Sequence, residues 1–525
     1  MAFEGSVPVI VPAQEKSSSR LKLVTASACL AQIMVVLDTT IIAVAMPSAQ
    51  ADLGFDDSAR QWMVTAYTLV FGSLLLLGGR ISQRVGIRTA FLVGLTGFAA
   101  ASVLGGFATS TAWLLAARAL QGAFAALLAP TNLSLMNVAF PEEADRAKAF
   151  AIFGAVAGAG AAAGLLLGGV LTESLSWRWC LFISMPIALV AAAVAAPSLS
   201  VLPGPQSRDG ARDLFGLMLG TASVFSFVFG LSRADGDSWD DPAVITLLAT
   251  GVILLFLFLI REKRAPNPLL PLMIPGDPVR GASYLSIAGV GLAQMGASIY
   301  LTYYFQEQLG YSPTKTGLMF LPLILGLMGA AVLSMRFLVP RWGPALVYPL
   351  GALCQAAGFW MLGTLGPDSW FGEGMVLPLV VAGIGIGLVM APAMSLATAG
   401  TTVAYSGVAS ATANTSQQLG ASLGVAFLST WASRHVADGM EARPAEITAE
   451  IGDRLRRANA TPTSTEGQAI AEQLKQAAFS DEVIESYRSG FVVMGFLAFA
   501  VSVLTLLVMW RAQSGKEADR HALDV

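Results

Sequence analysis

Long uninterrupted apolar stretches recur along the whole chain, each closed by a short cluster of charged, Gly or Pro residues. A run of about 20 predominantly apolar residues has the length of a helix that crosses the hydrocarbon core of a bilayer. The pattern predicts seven such helices in the first half, at about Leu21–Met46, Gln61–Gly79, Thr89–Ala108, Ala112–Val138, Ala147–Val170, Cys180–Ala196 and Leu214–Leu231. It predicts seven more at about Ala243–Ile260, Gly281–Phe305, Thr316–Phe337, Ala345–Leu365, Met375–Ala397, Gly407–Trp431 and Gly490–Trp510. The runs do not alternate apolar and polar residues as the strands of a membrane barrel do. The first twenty residues are polar, and the first run is longer than a signal-peptide core, which predicts a retained first helix.

Composition strengthens this reading. Of 525 residues, 55% are hydrophobic and only 12% charged, and mean hydropathy is +0.66. Soluble globular chains carry about 25% charged residues, so a soluble enzyme, a nucleic-acid binder and a disordered scaffold are all excluded. The net charge of −3 says little, but the placement of the charges says more. Fourteen spans put both termini on one side. The segments on that side hold nineteen Lys and Arg, from Lys16 and Arg20 through Arg208, Arg212 and Arg261 to Arg520. The short loops on the other side hold four: Arg60, Arg178, Arg233 and Lys315. The positive-inside rule then predicts a multi-pass protein of the cytoplasmic membrane with both termini in the cytoplasm. One long polar segment, about Ala432–Ser489 with seven basic and ten acidic residues, falls outside. It is expected to be a solvated loop with short surface helices such as Ala469–Ala478.

Little conventional chemistry is available. Cys29, Cys180 and Cys354 are far apart, and His435 and His521 are the only histidines. That leaves no metal site, no disulfide framework and no triad. Gly420-Ala421-Ser422-Leu423-Gly424 matches a nucleophile elbow but lies inside a span with no preceding strand. Gly158 to Ala163 matches a dinucleotide fingerprint without its strand or its acid, and no phosphate-binding GxxxxGK[ST] loop occurs. No cofactor is expected, and any transport must run on an ion gradient.

Charges inside the spans are few, and two stand out. Asp38 lies in the first span and Arg118 in the fourth. Each costs roughly 2.5–3.5 kcal/mol at mid-span on insertion scales, and such residues face a bundle interior or a wet cavity and mark an ion or substrate path. A carboxyl whose exposure and partner change between two conformations can load a proton on one side and release it on the other. Gly154, Gly158, Gly160, Gly164, Gly168 and Gly169 crowd the fifth span. Their four-residue spacing lets another backbone approach closely, as a gate needs. Among polar uncharged residues in spans, Gln32, Gln121, Asn132, Gln294, Asn414, Gln417 and Gln418 are candidates for interhelical bonds or a cavity. Met34, Tyr67, Met295, Tyr300 and Tyr303 would join the cavity. Aromatics, Met and a few amides suit bulky, largely apolar molecules.

Several segments resemble the fourteen-span drug:proton antiporters of the major facilitator superfamily, over about Leu21 to Trp510. Leu37-Asp38-Thr39-Thr40-Ile41-Ile42-Ala43-Val44-Ala45-Met46-Pro47 is similar to that family's first-helix signature, and Gln61-Trp62 with Ala66-Tyr67 to its second helix. Gly79-Arg80-Ile81-Ser82-Gln83-Arg84-Val85-Gly86-Ile87-Arg88 resembles the loop motif between helices two and three. Gln83 stands where the family carries an aspartate that latches the two halves. Arg118-Ala119-Leu120-Gln121-Gly122 resembles the fourth-helix motif. Gly160 through Gly169 resembles the fifth-helix motif of exporters, with Leu165 at its usual proline. Trp177-Arg178-Trp179 with Phe182-Ile183-Ser184-Met185-Pro186 resembles the start of the sixth helix. Tyr303-Tyr304-Phe305-Gln306 with Leu309-Gly310-Tyr311-Ser312-Pro313 resembles the end of the ninth. Asn414 to Gly420 resembles a late-helix signature, with Gln417 where arginine is frequent.

The resemblance implies an all-α membrane fold of fourteen helices. Its parts are a tail at 1–20, a six-helix half at 21–200 and two linker helices with a cytoplasmic loop at 201–280. A second half at 281–511 contains the loop 432–489, and a tail follows at 512–525. It implies a secondary active transporter and no enzyme. Asp38 and Arg118 would serve proton coupling, Gly79, Gln83, Arg84, Gly86 and Arg88 gating, and Gly160, Gly164, Gly168 and Gly169 helix packing. Its partners would be protons, a lipophilic small molecule such as an antibiotic or toxic metabolite, and membrane lipid, with the chain a monomer and no nucleic acid involved. An uptake permease of the same fold and a non-transporting sensor or assembly protein are the alternatives.

Overall fold

A computed structural model of the chain describes residues 18–523, apart from 56, 141, 200–212, 237–238, 267, 365–373, 400, 402, 459–460 and 463. Residues 1–17 and 524–525 of the expected tails, with Lys16, Arg208 and Arg212, lie outside the described residues. The first half contains α1 (Ser18–Leu53), α2 (Asp57–Val85), α3 (Ile87–Gly106), α4 (Thr111–Ala139), α5 (Glu143–Ser174), α6 (Trp179–Phe182) and α7 (Ser184–Ser198). Next come α8 (Leu214–Gly236), α9 (Pro242–Arg264) and the short α10 (Met273–Gly276). The remainder is α11 (Pro278–Tyr303), α12 (Pro313–Met319), α13 (Leu321–Leu333), α14 (Val339–Trp342), α15 (Pro344–Gly363), α16 (Val376–Thr398), α17 (Val403–Ala442), α18 (Pro444–Ala458) and α19 (Thr465–Leu523).

Local chemistry explains many of the boundaries. Asp241 caps α9 by accepting from the Ala243 N–H, and Pro242 starts the helix. Arg261, Lys263 and Arg264 fill its last turn, where cations oppose the negative end of the helix dipole. Asp277 caps α11 through the Arg280 N–H, and Ser312 caps α12 through the Lys315 N–H. Gly86 begins α3 with φ 86° and Gly343 begins α15 with φ 73°, a left-handed conformation that glycine adopts without steric cost. An Arg-x-Gly turn thus reverses the chain once in each half, at Arg84 to Gly86 and again at Arg341 to Gly343.

Thirteen helical segments among the described residues are long and apolar enough to cross a membrane. α17 falls below that apolarity because Thr412, Asn414, Thr415, Ser416, Gln417 and Gln418 lie within it. It nevertheless packs inside the bundle, against α2, α4, α8, α11 and α19. One apolar core joins α1, α3, α4, α5 and α7 through Met34, Phe91, Phe98, Met136 and Phe150. A second gathers Tyr300, Phe305, Phe359, Leu428 and Met494 from the later helices. The outer surface of α9 is almost wholly apolar, with Ile245, Val252, Ile253 and Phe256 exposed, as expected of a helix facing lipid tails.

The polar segment 432–489 differs from its expected loop. Residues 432–442 prolong α17, Pro444 opens α18, and Ala469–Ala478 lies inside α19. Ile451 and Leu455 sit one turn apart on α18, and Leu455 is buried near Gly467 of α19. The Arg443 guanidinium donates to Glu482 at 3.1 Å, and Trp431 Nε1 donates to Ser489 at 3.0 Å. Alanine, glutamate and arginine are good helix formers, and their pairing extends two membrane helices instead of leaving loose chain. At 40 residues α17 is about 60 Å long, roughly twice the hydrocarbon thickness.

At the opposite end from the Gly86 turn, Asp52 ties three segments together. Its carboxylate accepts from the Arg178 guanidinium and from Trp177 Nε1, and Arg178 also donates to the Ala108 carbonyl at 3.0 Å. These bonds hold the Asp52 carboxyl below the usual aspartate range. A carboxyl lowered on folding adds stability above its ordinary value, and that stability is lost as pH falls through the lowered value. Asp52→Asn is therefore expected to lower the melting temperature of the detergent-purified protein slightly at neutral pH. The difference from wild type should vanish only in acid below the usual aspartate value of about 3.9.

Candidate functional site

Three helices bring the two intramembrane charges together. Asp38 on α1 and Arg118 on α4 are 80 positions apart in sequence, yet Arg118 NH1 donates to Asp38 Oδ2 at 2.6 Å. The two side chains are 0% and 2% exposed. Gln121, one turn along α4, donates from Nε2 to Asp38 Oδ1 at 2.8 Å and accepts from Arg118 NH1 at 2.8 Å. Both carboxylate oxygens are therefore satisfied. Arg118 Nε reaches the Met63 carbonyl of α2 at 3.4 Å. The guanidinium also lies over the Tyr67 ring, 4.6 Å from its centroid, a cation–π contact that gains strength where water is absent. The Tyr67 hydroxyl is buried and has no hydrogen-bond partner among the described residues.

Glycines set these distances. A Cβ at Gly122 would stand 2.5 Å from the Tyr67 carbonyl of α2, so only glycine lets α2 and α4 approach closely enough to place Tyr67 over Arg118. On α5, a Cβ at Gly164 would meet Thr40 Oγ1 at 1.9 Å and the Leu37 carbonyl at 3.0 Å. Gly160 and Gly168 lie in the same way against Ile33 and Ile41. The four-residue series thus packs on the turns of α1 that flank Asp38. The remaining glycines of α5 face the later helices: Gly154 lies near Ala391 and Ala331, Gly158 near Leu327 and Met328, and Gly169 near Thr314.

The other candidates are distributed more widely. Gly79 and Gly407 bring α2 and α17 together backbone to backbone, a Cβ on either meeting the other's carbonyl within 2.7 Å. Near them Asn137 donates to the Thr398 carbonyl at 3.0 Å, and Ser134 bonds Ser410 at 3.3 Å. The bundle is thereby closed at the Gly79 end. Gln83 accepts from Arg80 at 3.1 Å, Arg84 is exposed, and Arg88 approaches the Ala196 carbonyl at 3.4 Å. Gln418 packs on Gly72 of α2, and Gln32 and Gln294 are half-buried. Asn132 donates to the Ala28 carbonyl at 3.0 Å, and Asn414 to the Ser410 carbonyl of its own helix. Met34 is fully buried in the first core. Tyr300 lies apart from this set, packed on Tyr487 and Phe491 and donating to the Leu428 carbonyl.

Among the described residues, sequence reasoning missed three further buried acids, Asp213, Glu262 and Glu482. Glu262, 3% exposed, is embedded in Arg261-Glu262-Lys263-Arg264, which reads as a solvated basic end. Its only sequence signal is an acid where the helix dipole favours cations.

Residues 28–425 match the model of the Major Facilitator Superfamily. The chain belongs to the major facilitator superfamily. The chain is similar to the puromycin resistance protein pur8 of Streptomyces alboniger, 44% identical over 76% of this chain and 79% of that protein. The cephamycin export protein CmcT of Amycolatopsis lactamdurans is 39% identical over 81% of this chain and 87% of that protein. The crystal structure of the human organic anion transporter MFSD10 superposes over 91% of this chain and 99% of its own, with a TM-score of 0.59 at 14% identity. Family and apolar helices together make this a multi-pass membrane protein.

Two outcomes follow from the site. Removing one member of a buried ion pair costs about 3–5 kcal/mol, whereas replacing both with neutral groups costs much less. Arg118→Met should accordingly lower thermal stability strongly, and adding Asp38→Asn to it should recover most of the loss, as read by melting of the purified protein. Gly122→Ala should destabilise by about 1–3 kcal/mol, the range for an overpacked contact, since the atom it meets is backbone.

Proposed function

We propose that the protein exports a lipophilic small molecule from the cytoplasm in exchange for protons, by alternating access of the two halves around a site near mid-membrane. The buried pair of Asp38 and Arg118 is the observation that carries the reading. In a transporter with no ATP-binding loop, a buried acid paired with an arginine inside the bundle is the natural proton carrier. α17 serves as the fourteenth span, and the excess of Lys and Arg puts the termini and the Gly79 end in the cytoplasm. The protein works in the cytoplasmic membrane with lipid as its only other necessary partner, and as a monomer.

The physical cycle is short. With the Gly79 end closed, Asp38 is buried, its charge balanced by Arg118 and its second oxygen bonded by Gln121. A rearrangement that pulls Arg118 away leaves a carboxylate without compensation, and a proton from outside restores neutrality. Carried inward, the proton leaves when Arg118 returns. One charge crossing about 100 mV yields about 2.3 kcal/mol, enough for a roughly 40-fold concentration ratio of a neutral solute. Gln32, Gln294 and Gln418, all half-buried, offer the cargo a few hydrogen bonds among small residues, which suits a bulky and largely apolar molecule. Support for an antibiotic as cargo comes from the relatives, named for puromycin resistance and cephamycin export.

The test is transport in reconstituted vesicles, with puromycin as the first cargo and a panel of lipophilic antibiotics after it. Wild-type protein should accumulate cargo uphill under a pH difference and stop when that difference is collapsed. Asp38→Asn should bind cargo but lose gradient-driven flux. Full-speed uphill movement by Asp38→Asn with the gradient collapsed would refute the exchange mechanism.

A further inference from the structure

The hairpin of α8 and α9 has no task in the exchange cycle, yet it is fastened to both halves. Its two helices form one unit. Ser223 donates to the Gly251 carbonyl at 3.0 Å, Gly230 lies against Leu247 and Leu248, and Gly251 lies against Phe227. α8 packs on α2 of the first half and on α17 of the second. Leu69 of α2, Val224 and Val228 of α8 and Leu419 of α17 share one apolar cluster. Val228 also reaches Gly72 of α2, beside Gln418 of α17. α8 therefore fills the seam where the two halves meet on this side.

Polar bonds reinforce the seam at the end away from Gly79. Thr65 lies about 21 Å along α2 from Gly79. Its hydroxyl bonds that of Ser232 of α8 at 2.9 Å, and the nearby Trp62 ring stands 5.7 Å from that of Phe229. Trp239, in the connection between α8 and α9, donates from Nε1 to the Thr430 hydroxyl of α17. That hydroxyl also lies 3.5 Å from the Ala234 carbonyl of α8. Arg434 of α17 pairs with Asp240 at 3.8 Å, but both are exposed, so this pair adds little. Ser232 and Trp239 thus tie α2 and α17 to one hairpin.

These bonds are made with the Gly79 end closed. Rocking the halves changes how α2 and α17 lie against each other, and one packed hairpin cannot follow both. Opening the Gly79 end must therefore break the bonds on one side of α8. The glycine contacts of α5 with α12, α13 and α16, at the other seam, can slide instead. We propose that the α8–α9 hairpin is a strap that holds the halves in the conformation with the Gly79 end closed. Its bonds to α2 and α17 set how often that end opens. This inference rests on the alternating-access reading.

Pulsed electron paramagnetic resonance reads the balance, between spin labels at the exposed positions Val85 and Trp342 of the Gly79 end. The sample is full-length protein in lipid nanodiscs with Cys29, Cys180 and Cys354 replaced by Ala. Wild type should show a dominant short distance and a minor long one. Thr65→Val and Trp239→Phe each remove one hydrogen bond and keep most of the side chain's bulk. Each should lower the ratio of short to long populations about 2- to 10-fold, and the two together should lower it further. Ser232→Ala breaks the Thr65 bond from the hairpin side, which serves if the α2 variant fails to fold. Ser223→Ala breaks a bond within the hairpin alone and should leave the ratio as in wild type. An unchanged ratio in the Thr65, Ser232 and Trp239 variants, or an equal shift in Ser223→Ala, would overturn the strap alone. A single distance in wild type, unmoved by pH or by puromycin, would sink alternating access and the strap with it.

Discussion

A carboxylate and a guanidinium held against each other with almost no water contact govern what the rest of this bundle must do. Each ion costs several kcal/mol to bury, and only close geometry with every lone pair satisfied offsets that cost. Here the geometry comes from three helices at once. α1 supplies Asp38, α4 supplies Arg118 and Gln121, and α2 supplies the Met63 carbonyl and the Tyr67 ring. Small changes in the packing of these helices act directly on the charges. That sensitivity is a liability in a static protein and an asset in one that changes shape.

The glycines explain how one helix can serve both the charged site and the boundary between halves. α5 presents Gly160, Gly164 and Gly168 to α1 and Gly154, Gly158 and Gly169 to α12, α13 and α16. With so little side chain on either face, α5 has no knobs to lift out of holes when it slides. Movement along its inter-half face is thereby transmitted to the turns of α1 on either side of Asp38. The opposite design appears at Tyr300, where rings and a backbone hydrogen bond lock α11 to α17 and α19. Rigid cores within each group of helices and smooth contacts between groups are what rocking motion requires.

Much of this was legible in the chain because membrane burial is expensive. Asp38 and Arg118 stand out by their cost alone, and the four-residue glycine spacing named a contact face before any partner was known. Tyr67, which the sequence offers as a cavity residue, is buried with Arg118 over its ring. Tyr300 shows the limit of that reasoning, because a lone tyrosine in a span does not reveal which side of its helix meets a neighbour. The segment 432–489 misled in a different way: its polarity marks exposure to water, and helices such as α18 are as compatible with water as loops. Glu262 was invisible because Arg261-Glu262-Lys263-Arg264 has the mixed charge of a solvated helix end, and the return of the chain at Leu270 together with α8 at Gly216 buries the acid. α17 carries so many amides and hydroxyls that its apolarity fades where it packs among helices.

Magnitudes connect the gate to the pair. The contacts that close the Gly79 end are modest: a hydrogen bond from Asn137 to Thr398, another between Ser134 and Ser410, and the glycine contact of α2 with α17. Each hydrogen bond is worth about 0.5–1.5 kcal/mol net, so the closure they provide is comparable to the roughly 2.3 kcal/mol that one proton gains over 100 mV. Leaving one member of the ion pair alone costs about 3–5 kcal/mol, more than either. A gate this weak opens and closes by thermal motion, while a pair this strong forbids any conformation in which one charge is left alone. Neutralising Asp38 with a proton removes the carboxylate's part of that prohibition without weakening the gate. In such an arrangement the proton decides which conformations are allowed, and the energy of its movement is large enough to bias the gate without freezing it.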